Sequence, residues 1–306
     1  MNLINGSRPA RAPAPRRLRP ACAAAAALLV LLLVPLRAAA ANFLWKATGK
    51  SGTIYLAGSV HMLNAAYYPL DPAFERAFND SDLLVEEVDL DQLLAPDMQL
   101  SILMRSRLPE GQTLQSLLSP GTLARLRTFT ADLGPAADAL NRFKPWMLAT
   151  IIEGLELQKA GFDPNLGLDK HFFDRARADG KMVKALETAE DQIALFDGLP
   201  MEQQDRFLAE TLEQLATEKA NVTRLADAWR SGDAETVAGI VLSDMKDDEA
   251  LYQRLLVARN RNWLPQIEAL LERPGRAFIV VGAAHLVGPD GLLALLAARG
   301  YAVAQM

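Results

Sequence analysis

Apolar and polar positions alternate in short blocks near both ends of the chain and in longer helical periods between them. Near the front, Phe43–Thr48 and Thr53–Ala57 are apolar stretches separated by Gly49-Lys50-Ser51-Gly52, which predicts a β-hairpin. The second strand runs into Gly58-Ser59-Val60-His61. Asp71-Pro72 then predicts a helix start, with Asp as cap, Pro in the first turn, and Phe74 and Phe78 on one face. Leu83–Val88 follows as a buried strand. Near the back, the β-branched run Ala277–Val281 enters Gly282-Ala283-Ala284-His285. After Gly288-Pro289-Asp290-Gly291 come a leucine-rich helix stopped by Gly300 and a last strand, Tyr301–Ala304.

Both ends therefore read strand, Gly-x-x-His, helix, strand. Such units predict an α/β fold with a mixed central sheet, in which function gathers at the carboxyl ends of strands, where both histidines fall. The stretch between them reads as mostly helical, with starts at Ser119-Pro120 and Lys144-Pro145 and stops at Gly134 and Gly161. Lys181–Leu186 is a strand between helices, and Thr188-Ala189-Glu190-Asp191 has capping-box spacing. Helical periodicity then runs from Pro200 to Leu271, with breaks expected near Asn221, Gly232 and Asp244. No linker rich in Pro, Gly or Ser divides the chain. The expectation is one α/β domain over residues 41–306, with a long helical insertion at about 91–272.

Residues 1–40 read differently. Arg8, Arg11, Arg16, Arg17 and Arg19 stand without an acid, ahead of an apolar run from Ala21 to Leu36 and the small-residue tract at Ala38–Ala41. These are the three parts of a secretory signal peptide, cleaved near Ala40, and the run is short for a membrane span. The expected product is periplasmic or secreted, with no stable membrane span. Cleavage removes the one cysteine, Cys22, so neither a disulfide framework nor a cysteine-rich metal cluster is available. The net charge of −5 argues against nucleic acid as a partner. Oligomeric state is not legible.

The candidate chemistry lies with histidines and carboxylates at strand ends. His61 and His285 stand 224 positions apart, yet the duplicated context suits them to one site. Imidazole binds divalent metals through a neutral ring nitrogen, and a carboxylate commonly completes the set. Glu86 and Glu87 point to opposite sheet faces by the strand period, so one of them reaches any given site; Glu187 ends another strand in the same way. Two histidines and a glutamate leave positions open for water, and a second glutamate is then a base. His171, within a helix at Leu168–Ala178, reads as structural or as part of a rim. Arg259 either pairs with a carboxylate or holds a substrate carbonyl. Trp146 and Trp263 read as core aromatics.

The segments Tyr55-Leu56-Ala57-Gly58-Ser59-Val60-His61, Tyr68-Pro69-Leu70 and Glu87-Val88-Asp89 resemble the opening of the TraB/PrgY/GumN family, which includes the Tiki proteases. Lys144-Pro145-Trp146, Gly167-Leu168-Asp169, Leu186-Glu187-Thr188 with Gln192, and Gln204 follow in the family's order. So do Trp229 with Gly232-Asp233, Arg259-Asn260 with Trp263, and Val281–Gly288. The resemblance covers about residues 43–305. It implies a fold related to erythromycin esterase and the haem-binding ChaN-like proteins, with both motif histidines in one cleft. Tiki members are metal-dependent proteases acting on the amino-terminal part of Wnt proteins, with manganese or cobalt; PrgY members reduce peptide-pheromone signalling. By position, His61, His285 and Glu87 match the family's site, while Glu86 stands where the family usually has an apolar residue. Glu187, Arg259 and Asn260 match further family positions.

Together these features predict an exported metal-dependent hydrolase, a peptidase by resemblance. His61, His285 and Glu87 would hold manganese, cobalt or zinc. Glu187 would serve as base or fourth ligand, with Arg259 and Asn260 steadying the oxyanion or a peptide or protein substrate. The alternative is a non-catalytic binding protein whose cleft captures a peptide, haem or a metal.

Overall fold

The computed structural model describes residues 42–306 apart from 132, 134, 135, 244, 246 and 247. The expected signal peptide, the helix stop expected at Gly134 and the break expected near Asp244 lie outside the described residues. Six strands, β1 (Leu44–Thr48), β2 (Gly52–Ser59), β3 (Leu83–Glu86), β4 (Met182–Ala185), β5 (Gly275–Gly282) and β6 (Ala302–Gln305), form one sheet ordered β4-β3-β5-β2-β1-β6. β1 is antiparallel to β2 and β6, while β2, β5, β3 and β4 pair in parallel. The sheet is therefore mixed. β5 is inserted between β2 and β3, so the front unit's two strands are second neighbours rather than a pair.

The burial of each strand follows this order. From Ala277 to Gly282, β5 is buried at every position, as a central strand covered on both faces requires. The edge strands β4 and β6 are largely exposed. On one face, the rings of Phe78, Phe172 and Phe278 pack with centroids 4.6–5.7 Å apart. Phe78 comes from helix α1 (Pro72–Asn79), capped as expected by the Asp71 carboxylate accepting from the Ala73 N–H at 2.8 Å.

Further helices are α2 (Pro96–Arg105), α3 (Pro120–Thr130), α4 (Pro145–Lys159), α5 (Leu168–Ala178), α6 (Ala189–Asp197), α7 (Met201–Arg230), α8 (Ala234–Ser243), α9 (Ala258–Glu272) and α10 (Leu292–Ala298). The break expected near Asn221 is absent, because α7 runs unbroken for 30 residues. A single asparagine costs a helix interior only about 0.5 kcal/mol. Packing of Leu208 and Leu212 against Leu126 and Leu148 outweighs that cost. The break at Gly232 is present, with a positive φ of 70°. Among the described residues no helix is long and apolar enough to cross a membrane.

One position in β3 runs against its surroundings. Glu86 is 2% exposed, and both of its carboxyl oxygens lack a hydrogen-bond partner. Burial, then the charges of Asp169, Asp89, Glu87 and Asp174, push its carboxyl up to about 9. The folded chain keeps this proton where the unfolded chain loses it, so the group weakens the fold as pH rises from about 5 toward 9. Glu86→Leu should therefore raise stability by about 1–3 kcal/mol near neutrality. The gain should widen with pH in urea titrations, and a Leu variant with a midpoint at or below wild type contradicts this account.

Candidate functional site

Parallel pairing of β2 with β5 sets Ser59 beside Gly282, so the two Gly-x-x-His segments leave the sheet at the same end. His285 lies in a single helical turn, Ala283–Leu286, and is buried. His61 lies in the loop after β2, with its side chain 62% exposed. Glu87 follows β3, the neighbour of β5 on its other side. The three side chains converge on Gly282. A Cβ there would stand 3.3 Å from Glu87 Oε1, 3.4 Å from His61 Nε2 and 3.6 Å from His285 Cδ2. The Gly282 N–H also donates to Glu87 Oε1 at 2.7 Å. The glycine gives the cleft its floor by omitting a side chain.

Arg259 joins the buried half of the cluster. A π-helical turn at Gln253–Val257 leads into α9, and Arg259 Nη1 donates back to the Leu255 carbonyl at 3.1 Å. The same Nη1 donates to His285 Nε2 at 2.8 Å. Nη2 donates to Glu87 Oε2 at 2.5 Å and to Glu187 Oε1 at 2.7 Å, and Nε donates to Glu187 at 3.1 Å. Trp263 Nε1 donates to the other Glu187 oxygen at 3.1 Å, and its ring lies 4.4 Å from that of His285. Asn260 is spent in the same way. Its Oδ1 accepts from His285 Nδ1 at 2.7 Å, and its Nδ2 donates to the carbonyls of His285 and Asp290. With Nδ1 donating and Nε2 accepting, His285 is the neutral tautomer.

The ionisation of the cluster follows from these contacts. Burial pushes His285 down to about 3; Arg259 and His61 add to that, against the pull of Glu87. Burial would raise Glu87, but His285, Arg259, His61 and the Gly282 N–H outweigh it and hold the carboxyl at about 2. Since His285 is itself neutral at pH 7, Arg259 is the permanent cation of that set. His61 goes the other way. Desolvation by the walls of the cleft would lower its imidazole, yet Asp169 and then Glu87 raise it to about 9. At 62% exposure water screens these charges, so the shift speaks to proton occupancy and little to stability.

Asp169 is the partner that single-position reading passed over. It opens α5, where His61 Nδ1 donates to its Oδ2 at 3.3 Å and the Ser59 hydroxyl donates to its Oδ1 at 2.8 Å. Gly167 lets this helix end approach, since a Cβ there would collide with the His61 carbonyl at 2.3 Å. Gln192, on α6, donates to Glu87 Oε2 at 3.0 Å. Asp169 and Gln192 were both within motif segments but carried no signal of their own. His171 is elsewhere, facing Glu75 at 3.3 Å and the Tyr68 ring. His61 and Glu87 line a cavity of about 520 Å³ that extends under Leu90, Leu93 and Leu94.

The structure thus brings His61, His285, Glu87, Glu187, Arg259 and Asn260 together. It does not assemble the expected three-ligand metal set. Among the described residues, no group of three or more His, Cys, Asp or Glu side chains is arranged to hold a metal ion. The reason is Arg259, whose guanidinium takes the Nε2 lone pair of His285 and one oxygen of Glu87. A metal ion does not fit these residues while that cation stands there.

Comparison with known proteins agrees with the duplicated motif. The chain is 26% identical over 245 residues to the uncharacterized protein YbaP of Escherichia coli (strain K12), covering 79% of this chain and 87% of YbaP. It is 25% identical over 315 residues to the metalloprotease TIKI2 of Danio rerio, covering 86% of this chain and 60% of TIKI2. No solved structure matches. The TraB/PrgY/gumN family matches residues 43–305, essentially the whole described chain, and the protein belongs to that family.

Proposed function

We propose that the chain is a hydrolase that cleaves peptide bonds, with His61 as its proton carrier. The observation that carries the reading is the convergence of His61 Nε2, the Glu87 carboxylate and His285 on the side-chain-free floor at Gly282, beside an open cavity. Asp169 holds the Nδ1 proton and orients the ring, which leaves Nε2 to take a proton from water and return it to the leaving amine. Asp169 also stabilises the imidazolium that forms. Arg259, Glu187 and Asn260 have their donors and acceptors spent on one another and on Glu87 and His285, so they act as positioning residues. The kinship with TIKI2 supports a peptide substrate. The basic and then apolar first forty residues support export.

A second reading has its own support. TIKI2 is named a metalloprotease, which favours metal dependence in its relatives. Manganese, cobalt or zinc on His61, His285 and Glu87 would require Arg259 to leave its present place.

Digestion of a peptide library by the purified chain, read by mass spectrometry with and without chelator, tests both. Cleavage that survives chelation fits the first reading. Loss on chelation with recovery by manganese or cobalt replaces it with the second. Ligand retention without products sinks both in favour of a binding protein. His61→Ala should reduce turnover by about 10²–10⁴-fold.

Two further outcomes follow. The rate should rise with pH along a limb whose midpoint lies above the ordinary imidazole value of about 6.5. Asp169→Asn should move that midpoint down, because the carboxylate that favours the imidazolium is gone. An unmoved limb means that the titrating group is not His61. Gly282→Ala keeps an accessible backbone but crowds Glu87 Oε1 at 3.3 Å. Its turnover should fall by at least ~10-fold with the urea midpoint unchanged.

A further inference from the structure

The cavity beside His61 is asymmetric in charge. Three of its acids face it: Glu86, Glu87 and Asp169. Glu87 is answered by Arg259, and Asp169 by His61 and Ser59. Lys170, a cation on the same wall, is paired with Asp174 at 2.5 Å. Glu86 is the one left over, with two partnerless oxygens closed to water. A polar group in that condition costs stability, and a carboxyl costs more than an amide or hydroxyl. Around it the cavity is apolar. Met62, Val88, Leu90 and Leu93 line it, and Leu94, 57% exposed, stands on the same side.

We propose that Glu86 is a recognition group for an aliphatic ammonium, a lysine side chain or the amino terminus of a peptide, whose carbon chain lies along the apolar wall. The inference rests on the peptide-hydrolase reading for the word peptide and on the geometry of Glu86 for the charge. Among the described residues no cation contacts the Glu86 oxygens, so a ligand ammonium meets a carboxyl with its acceptors free and, on binding, displaces the proton that this carboxyl otherwise keeps. A rotamer change of Glu86 into the cavity that it lines brings the two together. The apolar wall matches a methylene stem, which a compact cation such as a metal aqua-ion cannot use. The register fixes the reach: Glu86 pairs with Val280 in β5, two positions before Gly282, so the ammonium pocket and the floor at Gly282 lie along one stretch of that strand.

The test is equilibrium binding, which does not need turnover. Fluorescent alanine-based pentapeptides carrying one lysine or one norleucine, each with a free or acetylated amino terminus, are titrated into the purified full chain, Glu86→Gln and Glu86→Leu. Wild type should bind at least one ammonium-bearing peptide ~10-fold or more above its neutral counterpart, the range expected of a charge-assisted hydrogen bond. Glu86→Gln should bring that ratio below about twofold, and Glu86→Leu should favour norleucine. Loss of the ratio on acetylation alone assigns the ammonium to the amino terminus; persistence after acetylation assigns it to lysine. No discrimination by wild type, no binding of any peptide, or a ratio that Glu86→Gln leaves intact overturns the proposal. Discrimination without cleavage in the library digest keeps this proposal and removes the hydrolase. Equal cleavage of all four peptides, lysine or norleucine and free or acetylated, does the reverse.

Discussion

Parallel pairing of β2 with β5 is the constraint on which the rest depends. Each strand carries a Gly-x-x-His at its carboxyl end, and neither segment makes a site alone. Alignment of Ser59 with Gly282 brings both histidines out at one level of the sheet. β3 joins on the far side of β5 and adds Glu87 at that level. The strand spacing of about 4.8 Å leaves these side chains within reach of one another. The chemistry of the cleft is thus set by backbone hydrogen bonds before any side-chain contact is counted.

Within that frame, charge decides what each histidine does. His285 is buried and receives a guanidinium N–H, so it stays neutral. His61 stands in solvent between Asp169 and Glu87 and holds its proton well above the ordinary range. Two imidazoles of the same motif are driven apart in basicity by their surroundings. Arg259 is what makes the separation possible. Its cation offsets Glu87 and Glu187 in a buried setting where either carboxylate alone would be costly, and removal of one partner from such a network is commonly worth about 3–5 kcal/mol.

Much of this arrangement was legible in the residues. The strand-then-Gly-x-x-His pattern located both histidines, but the period of two did not keep Glu86 and Glu87 apart: Glu87 lies past the end of β3, and both line one cavity. Asp71-Pro72 and Thr188 to Asp191 marked helix starts that the fold uses. Other features were not local and had no local signal. Nothing between Leu83 and Val88 says that β5 lies beside it. The place of Arg259 depends on a π-turn one helical turn earlier, and that turn has no composition of its own. Asn221 looked like a breaker because intrinsic preference was weighed without the tertiary packing that holds α7 straight. Asp169 was hidden for a similar reason: it meets His61 only after α5 docks, 108 positions along the chain.

The insertion of β5 at the middle of the sheet has a consequence for how the molecule comes into being. β2 and β3 are made early, yet they share no hydrogen bonds with each other and wait for a strand encoded after all the intervening helices. Until residues 275–282 arrive, both present open edges, the state most prone to pairing with a foreign strand. Contacts of such high sequence separation also make for slow folding. Assembly of the sheet and completion of the cleft are therefore a single event that waits for β5.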